Sequence, residues 1–151
     1  MYMKKAIEKA SDTSKKGYGG PFGATIVKDG EIICVCSNTV LLHHDPTEHA
    51  EMNAIREASR KLGTHDLSGC VLYATGYPCP MCLSAIMWAN IREVYYGTDL
   101  CDAEKIGFRD DFIYQFIRSG NCGDQLKIKQ IDHDSCLKLM EDYQEMGKII
   151  Y

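Results

Sequence analysis

"CVLYATGYPCPMCLSAIMWANIREVYYGT", residues 70–98, holds one complete βαβ unit, and the fold class follows from it. Its opening, Cys70 to Thr75, is a short and nearly unbroken apolar run, the pattern of a strand covered on both faces. Residues 80–90 carry Leu83, Ala85, Ile86, Met87, Trp88 and Ala89 almost all the way round, which predicts a buried helix. Residues 92–98 return to β-formers. A helix between two strands of this kind makes them parallel members of one sheet.

Upstream, "FGATIVK" (22–28) and "EIICVCS" (31–37) are separated by Asp29-Gly30, the turn dipeptide of a tight hairpin, so these strands are antiparallel. An antiparallel hairpin joined to a parallel pair gives a mixed sheet. Met3, Ala6, Ile7 and Ala10 lie on one face of an N-terminal helix that Gly17, Gly19 and Gly20 end. Asp45-Pro46-Thr47-Glu48 reads as a helix start, with Asp45 as the cap, Pro46 in the first helical position and Glu48 three residues after the cap. That helix runs to Leu62-Gly63. Downstream, residues 100–123 read as a loop with helical turns, Phe108, Phe112 and Phe116 sharing a face. "QLKIKQI" (125–131) reads as an edge strand, and Asp134 caps a last helix carrying Cys136, Met140 and Tyr143 and ending at Gly147. With no repeat or linker, the expectation is one α/β domain over residues 1–151.

The chain's 151 residues, 45% of them hydrophobic and 25% charged, suit a globular domain. No apolar run approaches the ~18 residues of a membrane span, and the amphipathic "MYMKKAIEKASDTSKK" lacks a signal peptide's apolar stretch, so a cytoplasmic location is expected. A net charge of −4 argues against a nonspecific grip on nucleic acid, which depends on Lys and Arg displacing counterions. A small or neutral substrate suits it better. Eight cysteines without an export signal point to metal binding or burial rather than disulfides. The six other than Cys79 and Cys82 read as small buried apolar residues, Cys34 and Cys36 on one strand face.

In the helix predicted over 46–62, Glu51 shares an apolar stripe with Ala54, Ile55, Ala58 and Leu62. A carboxylate there needs a partner or a proton, unless the helix begins later and Glu51 is solvated in its first turn. His49 stands two residues earlier. Helical positions two apart diverge by about 200°, so both serve one site only if it lies beyond the helix N-terminus, toward which side chains tilt. In "YPCPMC" (77–82), Cys79 occupies an N-cap position and Cys82 follows on the same face, where the positive helix end favours thiolates. Alone, this spacing suits a zinc clamp or a thioredoxin-like redox pair. Joined by His49, it supplies three ligands and leaves zinc's fourth position open, the mark of a catalytic site. Glu51 then takes a proton from the zinc-bound water, whose pKa falls from about 16 to about 7. HxE followed by PCxxC is the pattern of zinc-dependent base deaminases.

Through "HAE" (49–51) and "PCPMC" (78–82), the chain resembles the cytidine deaminase superfamily over essentially its whole length. Within it, "GGPFGATIVKDG" (19–30), "DPTEHAE" (45–51), "GFRDDFIY" (107–114) and the terminal Tyr151 make it most similar to the bacterial guanine deaminases; the first two stretches are shared with tRNA adenosine deaminases. The resemblance implies a three-layer α/β/α fold with a five-stranded mixed sheet, and hydrolysis of guanine to xanthine and ammonia with Zn2+ on His49, Cys79 and Cys82. The alternatives are A-to-I deamination of tRNA adenosine and deamination of a related nucleoside or aminated heterocycle. It makes Glu51 the acid/base, Asp110 a second acid group, Asn38 a hydrogen-bonding partner of the base, Phe22 its stacking face and Ala50 a further substrate contact. It makes Tyr151 an aromatic end that closes the neighbouring subunit's site in a homodimer with exchanged C-terminal segments. One departure stands beside the metal loop: Tyr77 occupies the place where the family usually has Glu. Trp88 reads as core or pocket wall. A non-enzymatic zinc or redox protein would leave Glu51 on the apolar stripe without a task.

Overall fold

The structure, a computed structural model, describes residues 1–120 and 124–150. It divides into two compact units, Met1–Asp111 and Phe112–Tyr151. The first contains α1 (Tyr2–Lys15), β1 (Gly23–Lys28), β2 (Glu31–Ser37), α2 (Val40–His43), α3 (Ala50–Leu62), β3 (Cys70–Gly76), α4 (Pro80–Trp88), β4 (Glu93–Thr98) and α5 (Leu100–Lys105). After them come α6 (Asp111–Arg118) and α7 (His133–Glu145). No helix among the described residues is long and apolar enough to cross a membrane.

The sheet runs β2-β1-β3-β4, with β1 antiparallel to both β2 and β3, and β3 parallel to β4. The hairpin forms as expected, because Asp29 and Gly30 both take positive φ (50° and 81°), the backbone that a two-residue turn between right-twisted strands requires. The βαβ crossover of β3, α4 and β4 is also present. β1 is buried along both faces. Ala24 and Ile26 join the core with Ala50, Ala54 and Ala58 of α3, Leu72 of β3 and Ile86 of α4. On the opposite face Gly23 lies so near α1 that a Cβ there would sit 2.2 Å from the Ala6 carbonyl oxygen, and Tyr2 of α1 packs its ring 5.2 Å from Tyr73. Helices thus cover both faces of the first unit's sheet, the three-layer order expected.

Among the described residues the sheet has four strands, not five. Residues 125–131 form no strand, and Leu126, Ile128 and Ile131 are exposed. Ile131 is out of phase with the other two, so no single face of an extended segment gathers all three apolar groups for burial. Other expectations are corrected by the same kind of detail. Ile7 is 54% exposed, and Thr13 continues the buried face of Ala6 and Ala10 instead. The helix at 80–88 is buried only through Pro80, Cys82 and Ile86; Trp88 is 76% exposed, neither core nor pocket wall. Residues 100–120 contain two helices, and Phe108 lies in the connection between them, ahead of the helix that carries Phe112 and Phe116. Asp132, rather than Asp134, stands at the cap of α7, and Gly147 (φ 60°) follows its end. Cys34 and Cys70 are buried as expected and Cys36 is half-buried, while Cys101 and Cys136 are exposed. Cys122 lies outside the described residues.

Candidate active site

The largest correction concerns where α3 begins. Asp45 does not cap a helix; its carboxylate accepts hydrogen bonds from the N–H and hydroxyl of Thr47, both at 2.7 Å, closing a local turn ahead of the helix. The helix starts at Ala50, with His49 as N-cap in extended conformation (φ −66°, ψ 157°). This removes the angular difficulty between His49 and Glu51, since only Glu51 is on the helix. It also refutes the solvated alternative. Glu51 stands in the first turn and is nonetheless only 7% exposed.

At the second helix, Cys79 is the N-cap of α4 (φ −66°, ψ 169°), with Pro80 in the first turn, where its missing N–H costs nothing. The two helix starts converge. His49 Nδ1 lies 3.5 Å from Cys79 Sγ and 3.7 Å from Cys82 Sγ, and these three residues form a group whose ligand atoms all lie within 4.8 Å of one another. Tetrahedral zinc, with Zn–S near 2.3 Å and Zn–N near 2.05 Å, would hold a sulfur and a nitrogen about 3.6 Å apart. The two measured distances bracket that value, so the residues present fit the ion.

The electrostatics agree with the geometry. A hydrogen bond from Cys82 holds the Cys79 thiol well below its usual range against the opposing effect of burial, and His49 and the Cys82 backbone N–H act in the same direction. The His49 imidazole is in turn raised by Cys79. Burial pushes the Glu51 carboxyl above the ordinary glutamate value, opposed by its own backbone N–H, while the negative Cys79 adds to the rise. Burial raises Asp110 too, again with help from Cys79.

A cavity of about 590 Å³ opens over this cluster. Phe22, Asn38, His49, Glu51, Cys79 and Asp110 all line it, so six of the nine residues singled out from the sequence share one wall system. Cys82 is fully buried behind His49. Ala50 is buried with its methyl in the core, so any part it takes falls to its backbone. Tyr151 lies outside the described residues. Asn38 is 5% exposed; its Oδ1 accepts the Val40 N–H at 3.2 Å, which leaves Nδ2 as its available donor. Tyr77 also lines the cavity, its ring edge-on to Tyr96 at 5.0 Å.

Sequence reasoning gave no site role to three residues that line the cavity. Phe108 meets Phe22 edge-to-face at 5.0 Å and lines the cavity, although its spacing with Phe112 and Phe116 pointed to a common helical face. Asp111, an acidic residue suited to a helix's first turn, was the signal that the helix starts after Phe108. Gly19 and Gly20 also line the cavity, where sequence reasoning made them a helix end and part of the "GGPFGATIVKDG" stretch without a role in the site. Side chains at both would collide with neighbours, Gly19 with Asn38 and Gly20 with Phe108 and Phe22.

Comparison with known proteins gives the arrangement its relatives. The family described as the cytidine and deoxycytidylate deaminase zinc-binding region matches residues 1–98. Guanine deaminase of Bacillus subtilis (strain 168) is 48% identical over 116 residues, covering 77% of this chain and 74% of that protein. A crystal structure of guanine deaminase from Bacillus subtilis aligns with a TM-score of 0.83 and 40% identity, over 93% of this chain and 92% of the other. A tRNA-specific adenosine deaminase of Aquifex aeolicus (strain VF5) is 46% identical over 96 residues, 64% of this chain and 63% of that protein.

Proposed function

The chain belongs to the cytidine and deoxycytidylate deaminase family, and on that premise we propose that it is a zinc-dependent hydrolytic deaminase of a purine base, converting guanine and water to xanthine and ammonia. The observation that carries this reading is the buried Glu51 carboxyl in one cavity with His49 and Cys79. A structural metal site has no use for a buried proton carrier. Guanine is favoured over a tRNA adenosine because the likeness to the Bacillus guanine deaminase extends over 116 residues against 96 for the Aquifex tRNA enzyme, and because the chain's net charge is −4.

His49, Cys79 and Cys82 would hold the zinc, which when bound supplies a Lewis acid that makes water a nucleophile near neutral pH. The chain's own side chains do the rest. Phe22, braced edge-on by Phe108, offers an apolar face to the flat base, and the Asn38 amide donates to an acceptor on its edge. Glu51 accepts the proton that the attacking water loses and delivers it to the departing amine. As the new C–O bond forms the exocyclic C–N bond breaks, and ammonia leaves with the proton that Glu51 carried. Asp110, whose burial favours its protonated form, assists the proton transfer. Ala50 contributes through its backbone.

The whole chain, 1–151, is read as serving this one activity in the cytoplasm, as a homodimer. The test is ammonia release from guanine, adenine, cytosine, their nucleosides, an aminated heterocycle series and a tRNA anticodon stem-loop. Guanine as the preferred substrate is the expected result. Turnover of the RNA alone would overturn the assignment.

A further inference from the structure

We propose that Asn53 is the positioning residue for base recognition: its side-chain amide fixes Asn38 by holding the residues on both sides of it. Asn53 lies one turn into α3, and its own N–H makes a helical bond to the His49 carbonyl at 2.9 Å. Its Nδ2 donates to the Ser37 carbonyl at 3.0 Å and to Thr39 Oγ1 at 2.8 Å. Those are the two neighbours of Asn38 in the chain. A third, longer approach of 3.4 Å reaches the carbonyl of Glu48, the residue before His49.

The network continues from there. The Thr39 hydroxyl donates to the Glu48 carboxylate, which also meets His43 Nδ1 at 2.6 Å, while the Thr39 N–H donates to the Glu48 carbonyl at 3.0 Å. Asn38 donates its own N–H to the Phe22 carbonyl at 3.0 Å. Its backbone is therefore pinned before, at and after the residue, so its free Nδ2 can be held at one place relative to His49.

The chemistry requires a primary amide. One NH₂ group has two hydrogens set about 120° apart, and both short bonds go to the flanks of Asn38. A carboxylate of the same shape would lose both donors and set a second negative charge near Glu48. The side-chain bonds of Asn53 run to the segments carrying Asn38 and His49 and to Arg56, whose Nη1 lies 3.5 Å from its Oδ1, so its role is distinct from core packing.

The inference rests on the reading that Asn38 contacts the base, and the experiment separates the two. Steady-state kinetics on guanine are measured for zinc-loaded wild type, Asn38→Ala, Asn53→Ala, Asn53→Asp, Thr39→Val and the Asn38→Ala/Asn53→Ala double variant, with zinc content determined for each. Asn38→Ala should raise KM, and each Asn53 variant should raise it on the order of tenfold, the worth of one well-placed hydrogen bond, with zinc retained. Thr39→Val should raise KM by less. The double variant should bind no worse than Asn38→Ala alone. An increase with Asn38→Ala but KM within twofold of wild type for the Asn53 variants overturns the proposal, as does full additivity in the double variant. Should the Asn53 variants fail to fold, an unchanged KM in Thr39→Val overturns it and a raised one supports it. An unchanged KM in Asn38→Ala would remove the base contact and the proposal together. A wild type inactive on guanine would instead overturn the functional reading.

Discussion

His49 and Cys79 lie 30 positions apart in the chain, yet each is the N-cap of its own helix, in nearly the same extended backbone conformation, with 3.5 Å between Nδ1 and Sγ. The His49 side chain makes no capping bond to its own helix, and the Cys79 sulfur faces the Cys82 N–H. Both lie at a point where two helix N-termini concentrate positive potential and favour a thiolate. Convergent caps make a better metal site than two positions inside helices would. The first turns remain intact while the ligands point beyond them.

Replacing Cys79 by Ala removes one of the three residues proposed to hold the zinc. Wild-type protein should contain about one zinc per chain, and the variant, purified and dialysed identically, roughly a tenth of that or less. Elemental analysis decides the matter; unchanged zinc content would place the metal elsewhere.

Glu51→Gln keeps the shape of the side chain and removes its charge. Turnover should fall by about 10²–10⁴, the usual contribution of a positioned acid/base, with zinc content unchanged. Because burial opposes the charged form of Glu51, the glutamine variant should melt no lower than the parent protein. Retention of activity within about tenfold of wild type would contradict the assigned role.

Much of this was legible in the sequence, for identifiable reasons. The hairpin and the βαβ unit rest on Asp29-Gly30 and on unbroken apolar runs, local signals that tertiary structure had no cause to override. The clustering of Cys79 and Cys82 with His49 was readable because Cys79-Pro80 marks a helix start by itself. The start of α3 was not, because Asp45-Pro46-Thr47-Glu48 satisfies the capping pattern while Thr47 captures the Asp45 carboxylate two residues on. The second tier of the site, Asn53 with Thr39 and Glu48, was invisible since its bonds join segments 14 and 9 residues apart through side chains with no periodic pattern. Trp88 misled because composition alone does not tell which side of an apolar helix faces the sheet.

Acid stability should depend on Asp66. Its Oδ1 accepts from the Ser68 N–H at 3.0 Å, the Ser68 hydroxyl at 2.5 Å and Asn90 Nδ2 at 3.2 Å, pinning the loop before β3 to the end of α4. These bonds, that of the Ser68 hydroxyl first, hold its carboxyl below the ordinary value of 3.8. A group with a depressed folded pKa adds stability that is present above the unfolded value and is lost as pH falls through the folded one. Wild type should therefore lose stability progressively below about pH 4, and Asp66→Asn should lose less over the same window while starting lower at pH 7. Parallel urea titrations from pH 7 to pH 3 measure this. Curves for the two proteins that fall in parallel would remove Asp66 from the acid limb.

Gly19→Ala tests how tightly the cavity wall is built. A Cβ at that position would sit 2.1 Å from Asn38 Oδ1 and 2.7 Å from the Asn38 carbonyl oxygen. The second of these atoms is backbone and cannot rotate away. Asn38 would have to move, carrying its side-chain amide out of register with the ligand cluster. Gly20 differs, because a Cβ there meets the ring atoms of Phe108 at 2.9 Å and of Phe22 at 3.0 Å, and a ring can tilt. Gly19→Ala should cost about 1–3 kcal/mol of stability, the usual penalty of overpacking, lower the melting temperature by several degrees and raise KM for the base. Gly20→Ala should be milder on both counts. Because the methyl at position 19 touches neither the base-stacking rings nor the metal ligands among its three nearest atoms, a rise in KM there without loss of zinc reports displacement of Asn38. Equal effects of the two alanines on melting temperature and KM would show that the backbone of Asn38 yields as readily as an aromatic ring, against the close approach on which this prediction stands.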